Sequence, residues 1–133
     1  MAKILVIDNN KDIRDFTVSF FMERNFEVFW ALDVLDALPV VKRDRPDITL
    51  LSINSDTDSG VDALKSILRT NVFTRTIIIS SIDDLDVMQQ ALQSGAVAYL
   101  SKPILLSELM DIVLRNLKKN RRYFELKVES KND

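Results

Sequence analysis

Short runs of aliphatic residues recur along the chain, and amphipathic stretches separate them. The clearest run, Ile48 to Ile53, follows the turn dipeptide Pro46-Asp47 and shows almost no polar alternation. Such a run is typical of a strand that is covered on both faces of a sheet. Four further runs predict the remaining strands, which are Lys3–Ile7, Phe26–Ala31, Thr76–Ser80 and Ala98–Ser101.

Apolar residues at helical spacing lie between these runs. The first predicted helix covers residues 11–24 and ends at Asn25, because asparagine tolerates the left-handed conformation of a helix cap. Its apolar positions form one stripe, which we expect to face the core: Ile13, Phe16, Phe20 and Phe21.

The start of the second helix is open between two candidate caps. With Asp33 as the N-cap, Pro39 falls beyond the first turn, where proline would kink the helix. With Asp36 as the N-cap, Pro39 lies inside the first turn, where proline is tolerated. We expect either the later start or a kink.

The three remaining helices have clearer boundary signals. The third is predicted from Val61 to Arg69. Asp84 is the expected N-cap of the fourth and Gly95 its end, since these residue types are preferred at those positions. Ser107 is the expected N-cap of the last helix.

Five predicted strands alternate with helices, which indicates an α/β domain with a parallel sheet between two helical layers. We find no linker that divides the chain, so residues 1–120 are predicted to form one domain. Residues 121–133 are interpreted as a tail that extends the last helix or is disordered.

Composition narrows the classes of function. The chain has 133 residues, 47% hydrophobic and 29% charged, as expected for one soluble domain. A net charge of -2 gives no general affinity for nucleic acids or membranes. The chain lacks both Cys and His, which excludes thiol chemistry, the usual base at neutral pH and the commonest zinc ligand. No apolar run suits a signal peptide or a membrane span, so we expect a cytoplasmic protein.

A series of residues at the predicted strand ends carries a more specific signal. In chain order, the series is Asp8-Asn9, Ser52, Gly60, Ser80, Tyr99 and Lys102-Pro103. Its order and spacing resemble the receiver domain of two-component response regulators over residues 3–117. The resemblance implies a three-layer, doubly wound, flavodoxin-like receiver fold with strand order 2-1-3-4-5.

The resemblance also implies a phosphoacceptor pocket whose central acid is replaced. The family's acceptor aspartate ends the third strand, where this chain has Ser52, and the family's acidic pair is Asp8-Asn9 here. A serine hydroxyl stays protonated at neutral pH unless a base activates it. A carboxylate with an ordinary pKa of about 4 is a poor base toward an alcohol. We therefore expect no phosphoryl transfer and no enzymatic activity.

The same pocket offers few ligands to Mg²⁺, which prefers hard oxygen ligands in octahedral geometry. The candidate oxygens belong to Asp8, Asn9, Ser52 and the backbone carbonyl of Asn54. One formal negative charge then remains beside Lys102, and we expect Asp8 and Lys102 to satisfy each other as an ion pair. Weak or absent Mg²⁺ binding is the expectation, and no other cofactor is implied.

The family's switch positions are retained. In the family, the residue matched by Ser80 bonds to the phosphoryl group, the aromatic matched by Tyr99 follows it, and the bond matched by Lys102–Pro103 is usually cis. Two simpler interpretations stay open at these positions. Ser80 could be satisfied by the backbone alone, and Tyr99 could pack its ring with the hydroxyl toward water.

The leading hypothesis is an atypical receiver that acts by phosphorylation-independent protein–protein interaction. The family's partner surface corresponds to residues 84–117, and the expected partners are a histidine kinase, an output protein or a second copy. Trp30 is interpreted as packing, with a partner anchor as the alternative.

Two rival functions remain. One is a conventional phosphorylatable response regulator whose acceptor is mutated or displaced to a nearby acid, although we interpret Asp56 and Asp58 as turn formers. The other is a small α/β enzyme or nucleotide binder. It is disfavoured because no Gly-rich loop follows the first strand.

Overall fold

A computed structural model describes residues 1–54 and 60–117 of the chain. The strands are β1 (Lys3–Ile7), β2 (Glu27–Ala31), β3 (Ile48–Ile53), β4 (Arg75–Ser80) and β5 (Ala98–Ser101). The helices are α1 (Lys11–Met22), α2 (Val34–Asp44), α3 (Val61–Thr70) and α4 (Leu85–Gln93), and α5 occupies residues 106–117. The predicted tail at 121–133 and the loop acids Asp56 and Asp58 lie outside the described residues.

All five strands are parallel, and their order is β2-β1-β3-β4-β5, which confirms the predicted α/β fold. Alternate residues of the central strands point to opposite faces. Leu51 packs with α2, α3 and α4 on one face, whereas Leu50 packs with α1 and α5 on the other. The unbroken apolar pattern of β3 therefore reports burial on both sides.

Several predicted helix boundaries are confirmed. Asn25 has a φ of 69° after the last turn of α1, and Gly95 has a φ of 115° after α4. The Asp84 carboxylate accepts hydrogen bonds from the backbone N–H groups of Asp86 and Val87, as expected of an N-cap. Within the described residues, no helix is long and apolar enough to cross a membrane.

The preferred start of α2 was wrong. Asp33, not Asp36, is the N-cap, and its carboxylate accepts from the Asp36 N–H at 2.9 Å. The Asp36 carboxylate in turn accepts from the N–H of Leu32, the residue before the N-cap, at 3.0 Å, which fixes the chain as it enters the helix. The helix continues through Pro39, because this cap and the complete burial of Val41 outweigh the hydrogen bond that proline cannot donate.

The predicted N-cap of the last helix was also wrong. The helix begins at residue 106, and the N–H of Leu109 donates to the carbonyl of Leu105 at 3.1 Å. Ser107 therefore lies inside the first turn. Helix ends vary by a residue or two in this way when no strong side-chain cap determines them.

The predicted inner stripe of α1 was wrong at its N-terminal half. Ile13 and Phe16 are 51% and 69% exposed, whereas Arg14, Thr17 and Phe21 are buried. The helix is turned toward Arg14 because this guanidinium finds partners inside. It donates to the carbonyl of Asp8 at 3.1 Å and stacks 4.4 Å from the centre of the Trp30 ring.

Two of the three phenylalanines of α1, Phe16 and Phe21, provide a test of this orientation. Phe21 is fully buried, with T-shaped contacts to Phe20 and Phe26. Phe21→Ala is expected to lower the free energy of unfolding by about 3–5 kcal/mol, because it opens a cavity. Phe16→Ala is expected to change it by no more than about 0.5 kcal/mol. Urea unfolding of both variants measures the difference, and equal losses would contradict the orientation of α1.

Candidate functional site

The carboxyl ends of the central strands bring the polar residues of the predicted series to one edge of the sheet. β1 pairs with both β2 and β3, and Asp8 directly follows it. Ser52 lies beside Ile79 in the β3–β4 register, and Ser80 lies beside Ser101 in the β4–β5 register. In an open α/β sheet, this edge at the change in strand order is where ligand sites form.

The side chain of Asn54 lies at the centre of this edge. Its Nδ2 donates to Oδ1 of Asp8 at 2.7 Å and to Oδ1 of Asn9 at 2.6 Å. Its Oδ1 accepts a hydrogen bond from Nζ of Lys102. Only the nitrogen of an amide donates and only its oxygen accepts, so these partners determine the orientation of the Asn54 amide.

Asp8 is held tightly in this arrangement. It is 4% exposed, and the same Oδ1 also accepts from the backbone N–H of Asn10 at 2.9 Å. Asn10 is in turn the N-cap of α1, where its side chain accepts from the N–H of Ile13. Two N–H donors therefore balance the buried carboxylate, as burial of a charge requires.

The expected ion pair between Asp8 and Lys102 is not formed. No carboxylate in residues 1–54 or 60–117 lies at ion-pair distance from Lys102, and Asn54 links the two charges instead. Burial lowers the pKa of Lys102 below its ordinary value, and the nearby negative charge of Asp8 opposes this shift only in part.

The two switch positions share one backbone partner. Oγ of Ser80 accepts from the N–H of Ile82 at 3.0 Å, and the hydroxyl of Tyr99 donates to the carbonyl of Ile82 at 3.1 Å. Tyr99 is 8% exposed, so the interpretation that its hydroxyl faces water was wrong. For Ser80, the interpretation that the backbone satisfies its hydroxyl matches the structure.

The end of β5 is fixed against β4. The Lys102–Pro103 peptide bond is cis, and the N–H of Lys102 donates to the carbonyl of Ser80 at 2.9 Å. This backbone hydrogen bond holds Lys102 at the strand end, from which its ammonium reaches Asn54.

Ser52 lines the same edge but takes no part in the hydrogen-bond network. It is half-buried, and no described side chain hydrogen-bonds its hydroxyl. In the part of the chain that the structure describes, no three acidic, histidine or cysteine side chains cluster as metal ligands. Asp8, Asn9 and Lys102 are thus brought together by hydrogen bonds to Asn54, and Ser52 lies beside them.

Two contributions to this site were missed from the sequence. Asn54 was considered for its backbone carbonyl, whereas the structure uses its side-chain amide. Arg14 was not singled out, yet it is 5% exposed and supports the backbone of Asp8. Its place in the middle of an apolar helix face was the available signal, since a buried arginine requires specific partners.

Comparison with known proteins gives the family. The family model of the response regulator receiver domain matches residues 4–114. This chain belongs to the receiver-domain family. Receiver domains are signalling domains that interact with histidine kinases and output domains in two-component systems.

Individual relatives support this assignment. Sporulation initiation phosphotransferase F of Bacillus subtilis is 30% identical over 115 residues, which cover 86% of this chain and 93% of that protein. Regulatory protein AtoC of Escherichia coli is also 30% identical over 115 residues, which cover 86% of this chain. The match spans only 25% of AtoC, so the activities of such longer proteins do not transfer to this chain.

Solved structures show the same fold. A receiver domain protein from Methanospirillum hungatei has a TM-score of 0.85 at 20% identity, covering 92% of this chain and 98% of that one. A two-component response regulator from Clostridium difficile has a TM-score of 0.81 at 28% identity, and the match covers 89% of this chain and 97% of that one.

The burial of Lys102 predicts a dependence of stability on pH. Because its folded-state pKa lies below 10.5, the unfolded chain keeps a proton in a window where the folded chain loses it. Lys102 therefore costs stability at neutral pH, and this cost is relieved as the pH rises toward 10.5. The free energy of unfolding of the wild type, relative to Lys102→Met, should rise across that window in urea titrations.

Lys11→Met is the matched control. The hydrogen bond to Asp15 raises the pKa of Lys11 above 10.5, so that the folded chain does not lose this proton before the unfolded chain does. The wild type relative to Lys11→Met should therefore show no rise over the window, and a fall as the pH nears 10.5. Equal slopes for the two lysine variants would contradict the assigned environment of Lys102.

Proposed function

We propose that this chain is an atypical receiver of a two-component system that signals by protein–protein interaction without being phosphorylated. The observation that carries the proposal is the position of the Asn54 side chain. Its amide occupies the centre of the pocket and ties Asp8, Asn9 and Lys102 together. The groups that would contact a phosphoryl group or a metal are thereby already bonded to one another.

The position of the acceptor supports the same conclusion. Acyl phosphate chemistry needs a carboxylate nucleophile, and this chain carries Ser52 at the end of β3. Activation of a serine needs an adjacent base. No described side chain hydrogen-bonds the Ser52 hydroxyl, and Oδ1 of Asp8 already accepts from Asn10 and Asn54.

The pocket also fits Mg²⁺ poorly. Octahedral coordination of this ion requires several hard oxygen atoms and usually at least one carboxylate with free lone pairs. Here Asp8 is the one acid of the network. Its Oδ1 already accepts from Asn10 and Asn54, and Oδ1 of Asn9 accepts from Asn54, which leaves Oδ2 of Asp8 as the one carboxylate oxygen of the network without a hydrogen bond from the described residues. We therefore propose weak or absent Mg²⁺ binding.

The switch residues suit a receiver held in one state. A phosphorylation-driven switch requires a hydroxyl that is released to bond the phosphoryl group. Here Ser80 and Tyr99 both hydrogen-bond the backbone of Ile82, and Tyr99 is buried. The loop between β4 and α4 is thus held from two sides without any phosphoryl group.

The partner surface is proposed to lie within residues 84–117. Apolar side chains on this face are open to solvent, including Leu85 at 66% and Leu105 at 65% exposure. Exposed apolar side chains of this kind suit a protein partner. We propose a histidine kinase or an output protein as that partner, and a second copy of the chain is the further candidate.

A second candidate function is a conventional phosphorylatable response regulator. The observation in its favour is that Asp8, Ser80 and Lys102 lie at the same edge of the sheet, as phosphoryl transfer would require. In that case a nearby acid would replace Ser52 as the acceptor.

Phosphorylation by a small donor separates the two functions. The chain is incubated with Mg²⁺ and acetyl phosphate, and intact mass is measured before and after hydroxylamine. We expect no labile phosphoryl adduct, because Ser52 stands at the acceptor position and no carboxylate of residues 1–54 or 60–117 forms an ion pair with Lys102. A stoichiometric adduct that hydroxylamine removes would support the conventional regulator instead.

The double variant Asn9→Asp/Ser52→Asp tests whether lost acids are the cause. Both substitutions restore carboxylates to the pocket, and phosphorylation together with Mg²⁺ binding should appear. Ser66→Asp serves as the control, because Ser66 is a half-buried serine on α3, away from the strand ends that form the pocket. Failure of the double variant to gain either property would mean that other differences block the pocket.

A further inference from the structure

A cavity borders the polar pocket formed by Asp8, Asn54 and Lys102, on the face of the sheet that α1 and α5 cover. Its volume is about 340 Å³, which is near the lower end for sites that hold small organic molecules. Apolar side chains of α1, of the β5–α5 connection and of α5 form its walls: Ile13, Phe16, Pro103, Ile104, Leu106 and Leu109. Ser52, Asp8 and Lys102 form the polar part of its lining.

The orientation of α1 determines which of its side chains line this cavity. Because Arg14 and Thr17 face the sheet, Ile13 and Phe16 are left 51% and 69% exposed along the cavity wall. Apolar side chains that are exposed beside a concave apolar wall favour an apolar occupant. The walls therefore favour the apolar body of a ligand over water.

The charges at the polar end of the cavity favour a ligand with an anionic group. Lys102 has three N–H donors, and Asn54 accepts from it. Within residues 1–54 and 60–117, no carboxylate pairs with Lys102. An ammonium that is half-buried and has no salt bridge to a described carboxylate attracts an anion more strongly than one in water.

Arg14 adds to this preference. It is 5% exposed, its Nη1 donates to the carbonyl of Asp8, and its Nε has no partner in the described part of the chain. Oδ1 of Asp8, the one acid of this group, already accepts from Asn10 and Asn54. Arg14 therefore places a second cation beside Asp8, and Lys102 is the cation that lines the cavity itself.

We propose that this cavity binds a small amphipathic carboxylate, whose apolar body lies between α1 and α5 and whose carboxylate hydrogen-bonds Lys102. The ligand would bind without covalent chemistry. By contacting α1 and the β5–α5 connection together, it would tie the position of one helix to that of the other. Such a ligand supplies an input that needs no phosphoryl group, so the inference rests on the proposed function.

Octanoate and its neutral counterpart octanamide are suitable probes, because they differ in charge and share an apolar chain. Each is titrated into the full chain without Mg²⁺ or a phosphodonor, and ¹⁵N-¹H NMR spectra are recorded. Octanoate should bind with a Kd tighter than about 1 mM and roughly tenfold more tightly than octanamide. The largest shifts should fall on α1 and on residues 102–109.

Three variants separate the contributions of charge and shape. Lys102→Met should abolish the preference for octanoate, so that the variant binds both probes with equal affinity. Phe16→Ser should weaken both probes about tenfold, and since Phe16 is exposed, the fold should survive the change. Phe73→Ser is the matched control, because Phe73 is 79% exposed and lies outside the cavity.

Three results would overturn the inference. They are the absence of saturable octanoate binding, equal affinity of the wild type for both probes, and shifts that fall away from α1 and residues 102–109. The first would leave the cavity as a contact for an apolar protein surface. Because the titration contains no phosphodonor, octanoate binding can succeed or fail independently of the acetyl phosphate experiment.

Discussion

One neutral amide determines the character of the polar pocket. Asn54 donates twice, to Asp8 and to Asn9, and accepts once from Lys102. A bridge of this kind satisfies a buried carboxylate without bringing a second charge into contact with it. The buried carboxylate of Asp8 is therefore hydrogen-bonded, while Lys102 keeps two N–H donors for another partner.

The parallel sheet makes this bridge possible. Parallel strands present all their carboxyl ends at one edge, so residues far apart in sequence meet there. Asp8 leaves β1, Asn54 follows β3 and Lys102 leaves β5, and the register of the strands places the three within hydrogen-bonding reach. The same register brings Ser80 and Tyr99 to Ile82, which links the pocket to the start of α4.

Sequence patterns predicted the strands because backbone periodicity and burial act locally, whereas the order of the strands was predicted from the resemblance to the receiver family. The unbroken run of β3 and the left-handed positions at Asn25 and Gly95 are examples. Contacts between distant side chains were harder to predict. Hydrophobicity alone placed Phe16 inside, whereas the partners of Arg14 on Asp8 and Trp30 determined which face of α1 is buried. The side-chain role of Asn54 likewise depends on three loops that only the folded chain brings together.

The Asn54 side-chain amide offers the most direct test, because its ¹⁵N-¹H signals report its hydrogen bonds. Spectra are recorded while Mg²⁺ is added to millimolar concentration, with Asn54→Ala used to assign the signals. The account predicts two shifted amide protons that exchange slowly with water and do not move as Mg²⁺ is added. Freely exchanging protons would contradict the bridge. A saturable shift with Mg²⁺ would also contradict it and would show that the pocket binds the metal.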